Sequence, residues 1–436
     1  YTLAVDPTRV SNPQAVYESV SPYLSISKDS FLHRATLPNR IYVEIENTLS
    51  RKQGEEIAEL DLKGVRLYRN QWRYYPGESL AAQALGFVGY RDQGDEDNIG
   101  VYGLERHYDN VLQRDSESLS VNFFAEIFTN LGNLVTGSDT KGQGDIVTTI
   151  EPTVARVLQS ELQQMHDTYE STITGGIIMD PNNGEIYAME NIPTYNNNYR
   201  SGVPIEHFSN PLVENVYEFG SIVKPLTVAA GLDAGVITPN TEYYDAGSIE
   251  FDKYTIHNYD GRGRGQVSMQ EVLNQSLNTG VAYITEELGV DKFREYFLSF
   301  GIDNKTGIDL PNESAGLADN LHSPRKLEYA TASFGQGIAM TPVQMITALA
   351  TLGNGGKLVT PHLVKEIINT TGWKTDPNKN QNKEIVFSED TSETISRMLT
   401  KVVDEALAGG DRSLPHHTVA AKTGTAQIAN PQGGYY

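Results

Sequence analysis

Ser221 and Lys224 stand three residues apart in Glu218-Phe-Gly-Ser-Ile-Val-Lys-Pro-Leu, where Gly220 supplies a tight turn and Pro225 is tolerable only in a first helical turn. A hydroxyl and an amine one turn apart at a helix start share a face and lie at the positive end of the helix dipole. If burial or a neighbouring cation keeps the amine neutral, it can take the hydroxyl proton, which is the apparatus of an acyl-transfer nucleophile. The same spacing recurs at Ser25/Lys28, Ser138/Lys141 and Ser323/Lys326, each in a polar or proline-interrupted stretch that reads as a solvated loop. Only Ser221 leads into an apolar helix, with Val223, Leu226, Ala230 and Leu232 as its expected buried face.

The elements around this pair follow from local signals. Pro152 opens a helix whose apolar positions Val154, Val157, Leu158, Leu162 and Met165 are expected to form one buried face. A hairpin follows, Gly175 to Asp180 and Glu185 to Met189 across Pro181-Asn-Asn-Gly184. Ser268 with Glu271, and Thr341-Pro342 with Gln344, read as capping boxes, the first opening a helix that delivers Ser276-Leu277-Asn278 and breaks at Gly280. Polar side chains two apart at such a helix end can both face a cleft. A helix over 390–406 precedes a strand-like run, Thr418 to Ile428, that carries Lys422-Thr423-Gly424. Gly261-Arg-Gly-Arg-Gly265 lacks the strand and helix of a phosphate loop and reads as a connector.

The 436 residues carry 56 acidic against 34 basic side chains, a formal charge of -22, which argues against nucleic acid and against an anionic membrane surface as partners. The absence of cysteine excludes disulfides, thiolate metal sites and cysteine nucleophiles. Neither a metal nor a cofactor is expected. Residues 1–142 mix short strands (Tyr1 to Val5, Arg40 to Ile45, Val65 to Tyr68) with helices (Pro13 to Tyr23, Thr48 to Leu60) and show no catalytic cluster. The flexible polar stretch 136–145 marks the expected boundary between a 1–142 domain and a 143–436 domain, both α+β.

Ser221-x-x-Lys224, Ser276-Leu277-Asn278 and Lys422-Thr423-Gly424, in that order, are the signature set of serine penicillin-interacting enzymes. With Arg73-x-Tyr75-Pro76-Gly77, Gly103-Leu104-Glu105 and Ser333-Phe-Gly-Gln-Gly337, the chain resembles a class B penicillin-binding protein over nearly its whole length. The resemblance implies a pedestal or dimerisation-like domain (1–142) and a penicillin-binding transpeptidase domain (143–436), an antiparallel sheet covered by helices and incomplete at the C-terminus. It implies a peptidoglycan D,D-transpeptidase that forms a serine acyl-enzyme on stem peptides ending in D-Ala-D-Ala and is inhibited by β-lactams. Ser221 would be the nucleophile and Lys224 its base, aided by the charge of Lys422. Ser276 would relay the proton to the leaving amine, and Asn278 would orient Lys224 and a substrate amide. The backbone N–H groups of Ser221 and Thr425 would form the oxyanion hole, while Lys422, Thr423 and Thr425 bind the substrate carboxylate and Gly424 lets the substrate backbone approach.

Two repeats of the motifs compete with this assignment. Lys305-Thr306-Gly307 follows Asp303-Asn304 and reads as a turn, and Ser120-Val121-Asn122 is a second S-x-N. The resemblance also implies an extracytoplasmic location at the bacterial cell membrane, an anchor outside these residues, and a membrane glycosyltransferase of the elongation or division machinery as partner. Transfer of the acyl group to water, as in a β-lactamase or D,D-carboxypeptidase, and a catalytically silent cell-wall scaffold are the alternatives.

Overall fold

The computed structural model describes residues 1–68, 73–90, 98–113, 143–251, 253–379 and 384–426. By packing the chain divides into two units, Tyr1–Pro76 and Gly77–Tyr436. The boundary expected near residue 142 falls outside the described residues.

In the first unit, β1 (Thr2–Val5) lies between β2 (Val43–Glu46) and β3 (Val65–Tyr68), antiparallel to both, with Leu3 opposite Glu46 and Leu67. Three capped helices cover this sheet. Asn12 caps α1 (Pro13–Val20), with proline at its first position, and Ser27 caps α2 (Lys28–Ala35). The third, α3 (Arg51–Glu59), starts later than the Thr48 expected from sequence, because Ser50 and Gln53 form a reciprocal capping box there. Leu3, Val20, Phe31, Leu49 and Ile57 fill the core. Ser25 is held by the Glu46 carboxylate, so the first Ser-x-x-Lys match belongs to this structural unit.

In the second unit, α4 (Pro152–Tyr169) packs on the hairpin of β4 (Thr174–Met179) and β5 (Ile186–Ile192). The turn forms as its sequence suggests: Asp180 accepts from the N–H of Asn182 at 2.8 Å, and Gly184 takes φ +87°. The single buried face expected for α4 is only partly realised. Ala155 and Leu162 are buried, but Val157 and Met165 remain 59% and 51% exposed. Two strands cover a narrower strip than the apolar stripe of the helix presents, so its flank stays open.

The larger core is built around α5 (Lys224–Asp233), entered through a 3-10 turn over Gly220–Val223. The sequence suggests one apolar face; instead every residue from Val223 to Gly231 is buried. Gly231 makes this possible, since a Cβ there would meet Ile284 at 2.8 Å. Four short strands follow as two antiparallel pairs: β6 (Glu242–Asp245) with β9 (Gly265–Ser268), and β7 (Ser248–Phe251) with β8 (Tyr254–His257). Then come α6 (Met269–Asn274) and α7 (Asn278–Leu288). Ser268 caps α6, but Glu271 turns to Asn274 and Gln275 and does not close the box. Gly280 does not end a helix. It sits in the first turn of α7, where a Cβ would strike Val272 at 2.4 Å, and the break falls at Ser276, with φ +54°.

Thr341 and Gln344 form the expected capping box of α8 (Pro342–Ala350), and α9 (Glu389–Lys401), capped by Ser388, continues into a π-type turn over Val402–Ala406. Residues 418–426 are not a strand. Ala421 N–H reaches the Leu399 carbonyl at 3.5 Å, and among the described residues no ladder forms beside them. Alternating small and β-branched residues favour an extended chain, but a strand requires a partner's N–H and C=O groups.

Candidate active site

The 3-10 turn brings Ser221 and Lys224 together. In such a turn residues three apart eclipse, so the Ser221 side chain stands over the base of Lys224 more directly than in an α-helix. The turn is braced from behind by Ser333 to Gly337. Thr227 Oγ1 donates to the Ser333 carbonyl at 2.8 Å, Gly220 N–H to Gly335 O at 3.3 Å, and Gly337 N–H to Glu218 Oε1 at 3.0 Å. A Cβ on Gly335, at φ +78°, would fall 2.4 Å from Gly220 O.

Lys224 is fully buried, and its Nζ donates to the carbonyl oxygen of Ser276 at 2.5 Å and to Ser276 Oγ at 3.1 Å. Lys422 Nζ reaches the same hydroxyl at 3.0 Å and the Thr423 carbonyl at 2.9 Å. One serine oxygen therefore joins the two amines. Burial, and then the charge of Lys422, push the Lys224 amine well below the usual lysine range, while burial lowers Lys422 to about 8. A neutral Lys224 has two N–H bonds, and the two Ser276 oxygens take both. Its lone pair is left for another proton donor. Among the described residues Ser221 Oγ has no hydrogen-bond partner, so the one hydroxyl at eclipsing distance in sequence is free to supply that proton.

The segment 424–425 crosses directly over the start of the turn. A Cβ on Gly424 would lie 2.4 Å from Ile222 Cγ1, and one on Gly220 would lie 2.3 Å from Thr425 O. The structure thus brings Ser221, Lys224, Ser276, Lys422, Gly424 and Thr425 into one neighbourhood, with Thr423 exposed beside Lys422. Asn278 is near but engaged differently from expectation. Its Nδ2 donates to His257 O at 2.9 Å, and among the described residues it makes no hydrogen bond to Lys224. The left-handed residue Ser276 presents both its carbonyl and its hydroxyl to Lys224.

The competing motifs separate cleanly. Thr306 N–H, Thr306 Oγ1 and Gly307 N–H all donate to the Glu313 carboxylate, at 2.6, 2.6 and 3.0 Å, so Lys305-Thr306-Gly307 is a turn wrapped on an acidic side chain. Ser323 Oγ accepts from Arg325 N–H in a loop. Ser138/Lys141 and Ser120-Val121-Asn122 lie outside the described residues. A cavity of about 810 Å³ between Tyr296, Lys305, Gln344 and Ile385 contains no member of the serine and lysine cluster. Convergent reactive groups identify the site here, not volume.

Sequence reasoning missed the role of Ser276 O, the bracing by Gly335, and the buried carboxylate Asp245 behind Thr279. A serine before a helix start shows nothing of its φ, and an isolated Asp shows nothing of its burial.

A buried lysine one turn from a serine, bridged to a second lysine through the hydroxyl of a second serine, is the arrangement of serine acyl-transfer proteins of the penicillin-interacting class. Residues 174–436 match the penicillin-binding protein transpeptidase domain, and residues 1–126 the penicillin-binding protein dimerisation domain. The chain belongs to the penicillin-binding protein transpeptidase family. It is 32% identical over 431 residues, 98% of its length, to stage V sporulation protein D of Bacillus subtilis, and spans 66% of that protein, just under two thirds. It is 25% identical to peptidoglycan D,D-transpeptidase FtsI of Escherichia coli, covering 96% of this chain and 68% of that one. Penicillin binding protein 3 of Mycobacterium tuberculosis, in a crystal structure complexed with ampicillin, superimposes with TM-score 0.71 at 26% identity, over 84% of this chain and 78% of that one.

Proposed function

We propose that the protein is a peptidoglycan D,D-transpeptidase. The observation that carries this reading is the single hydroxyl of Ser276 bonded to both Lys224 and Lys422, with Ser221 one turn before Lys224. Ser221 Oγ attacks the carbonyl of the penultimate D-Ala, and its proton passes to Lys224. Collapse of the tetrahedral adduct breaks the peptide bond. The proton reaches the departing amine of the terminal D-Ala through Ser276, whose oxygen contacts the base. The amine of a neighbouring stem peptide then attacks the acyl-serine, returns its proton by the same route and forms the cross-link. The Ser221 and Thr425 N–H groups stabilise the oxyanion, Lys422, Thr423 and Thr425 hold the substrate carboxylate, and Asn278 Oδ1 holds a substrate amide. β-Lactams enter as analogues of the same acyl donor.

Residues 143–436 form the transpeptidase domain in this reading and 1–142 the pedestal, at the extracytoplasmic face of the cell membrane with a membrane glycosyltransferase as partner. Among the described residues no helix is long and apolar enough to cross a membrane. Support for transfer to an amine comes from the matched dimerisation domain and from the Escherichia coli relative, whose name is that of a peptidoglycan D,D-transpeptidase. The test is intact-mass analysis after exposure to a β-lactam, with the modified peptide mapped. A stable adduct on Ser221, lost in Ser221→Ala, is expected. A label that persists in Ser221→Ala refutes the nucleophile, and one that turns over rapidly favours hydrolysis.

A further inference from the structure

Behind the Ser276 to Asn278 corner lies a carboxylate that the chemistry above does not use. Asp245, at the end of β6, is 1% exposed. It accepts from Gly247 N–H at 2.9 Å, from Arg264 N–H at 3.0 Å, from Asn258 Nδ2 at 3.0 Å to each oxygen, and from Thr279 Oγ1 at 2.8 Å. A buried carboxyl group that takes this many hydrogen bonds from three segments of the chain is a rigid anchor. It also accounts for Gly261-Arg-Gly-Arg-Gly265. The glycine-rich loop wraps the chain's own carboxylate, and a Cβ on Gly263 would meet Asp245 O at 2.7 Å.

The anchor leads to the site through two adjacent pairs. Thr279 Oγ1 gives its proton to Asp245 and takes one from Tyr243 OH at 3.1 Å, and Thr279 N–H reaches Asn258 Oδ1 at 3.3 Å. One residue earlier in each strand of this contact, Asn278 Nδ2 donates to His257 O. The pairs His257-Asn258 and Asn278-Thr279 are thus fastened twice, with Asp245 beneath them. Two residues before Asn278 stands Ser276, left-handed at φ +54°, followed by the fully buried Leu277. Such a backbone persists only where its surroundings impose it.

We propose that Asp245 is a positioning residue for the acyl-transfer site. Through Thr279 and Asn258 it holds the backbone of the 276–279 corner, so that the Ser276 hydroxyl meets Lys224 and Lys422 together. This rests on the reading of Ser221, Lys224 and Ser276 as the reacting set.

The test uses the full chain and a fluorescent penicillin, with the second-order acylation rate measured across pH beside thermal denaturation. Thr279→Val keeps shape, and leaves Asp245 its other donors, but removes the link. Its rate should fall about 10- to 100-fold, the effect of misplacing a catalytic group by roughly an ångström, with the acid limb of its pH profile displaced. Thr279→Ser, which keeps the hydroxyl, should restore both rate and limb. Asp245→Asn should reproduce the loss; if it does not fold, the Thr279 pair decides. Phe31→Leu, in the core of the first unit, should lower the midpoint without changing the rate of the folded protein. A Thr279→Val protein with the parental rate and pH profile, whatever its midpoint, overturns the proposal. Labelling that survives Ser221→Ala would instead overturn the reading on which it rests, so the two failures are distinct.

Discussion

Lys224 Nζ lies 2.5 Å from the carbonyl oxygen and 3.1 Å from the hydroxyl of Ser276, a residue 52 positions away whose backbone is left-handed. A backbone carbonyl and a hydroxyl are neutral acceptors. They satisfy the N–H bonds of a buried amine without stabilising its charge as a carboxylate would. The amine is held in place while burial, and then the charge of Lys422, push it well below the usual lysine range.

In the proposed mechanism the pH dependence of acylation follows from the two amines. Below the lowered range of Lys224 that residue is protonated and cannot accept the Ser221 proton, so the rate falls on the acid side. Above about 8, Lys422 loses the charge that draws the substrate carboxylate, so it falls on the alkaline side as well. Acylation rates from about pH 5 to 10 should be bell-shaped. In Lys422→Arg, whose guanidinium stays charged, the alkaline limb should move upward. An unmoved limb would detach it from Lys422.

Lys224→Arg keeps a cation of similar reach but cannot supply a lone pair at any working pH. The acylation rate should drop by about 10²- to 10⁴-fold, the usual contribution of a general base. Circular dichroism and rapid labelling kinetics, read together, separate this loss from misfolding.

Gly335→Ala places a methyl 2.4 Å from Gly220 O and 2.7 Å from Gly220 N, at a backbone φ of +78°. Backbone cannot yield as a side-chain tip can. The substitution should cost roughly 1–3 kcal/mol of stability and displace the Ser221 turn. A lower denaturation midpoint together with slower acylation is expected, although residue 335 touches no substrate in the proposed mechanism.

Glu190 is 1% exposed on β5, accepting from Ala81 N–H at 2.8 Å and Gln159 Nε2 at 3.3 Å, and burial pushes its carboxyl up to about 8. A carboxyl raised in the folded state stabilises the fold below its ordinary range. That contribution is lost as pH rises through about 8. Denaturant titrations from pH 5 to 9 should therefore show the parent losing stability relative to Glu190→Gln as the solution becomes alkaline. Parallel curves would show that Glu190 is already ionised in the fold.

What the sequence determined by itself was everything set by neighbours within a few residues. The capping box at Thr341, the Asn183-Gly184 hairpin and the proline-entered helix after Ser221 each rest on groups close in sequence. The three motifs that lead to the proposed site are also written in the sequence, because residue type and order survive in the linear text. Only the tertiary structure decided that Lys224 is pushed well below the usual lysine range, because burial and the approach of Lys422 across 198 positions do that. It also decided that Glu313 occupies the second Lys-Thr-Gly, that Val157 and Met165 stay exposed, and that residues 418–426 pair with no ladder among the described residues. Each of these depends on a partner distant in sequence, and a one-dimensional pattern carries no record of which distant group arrives.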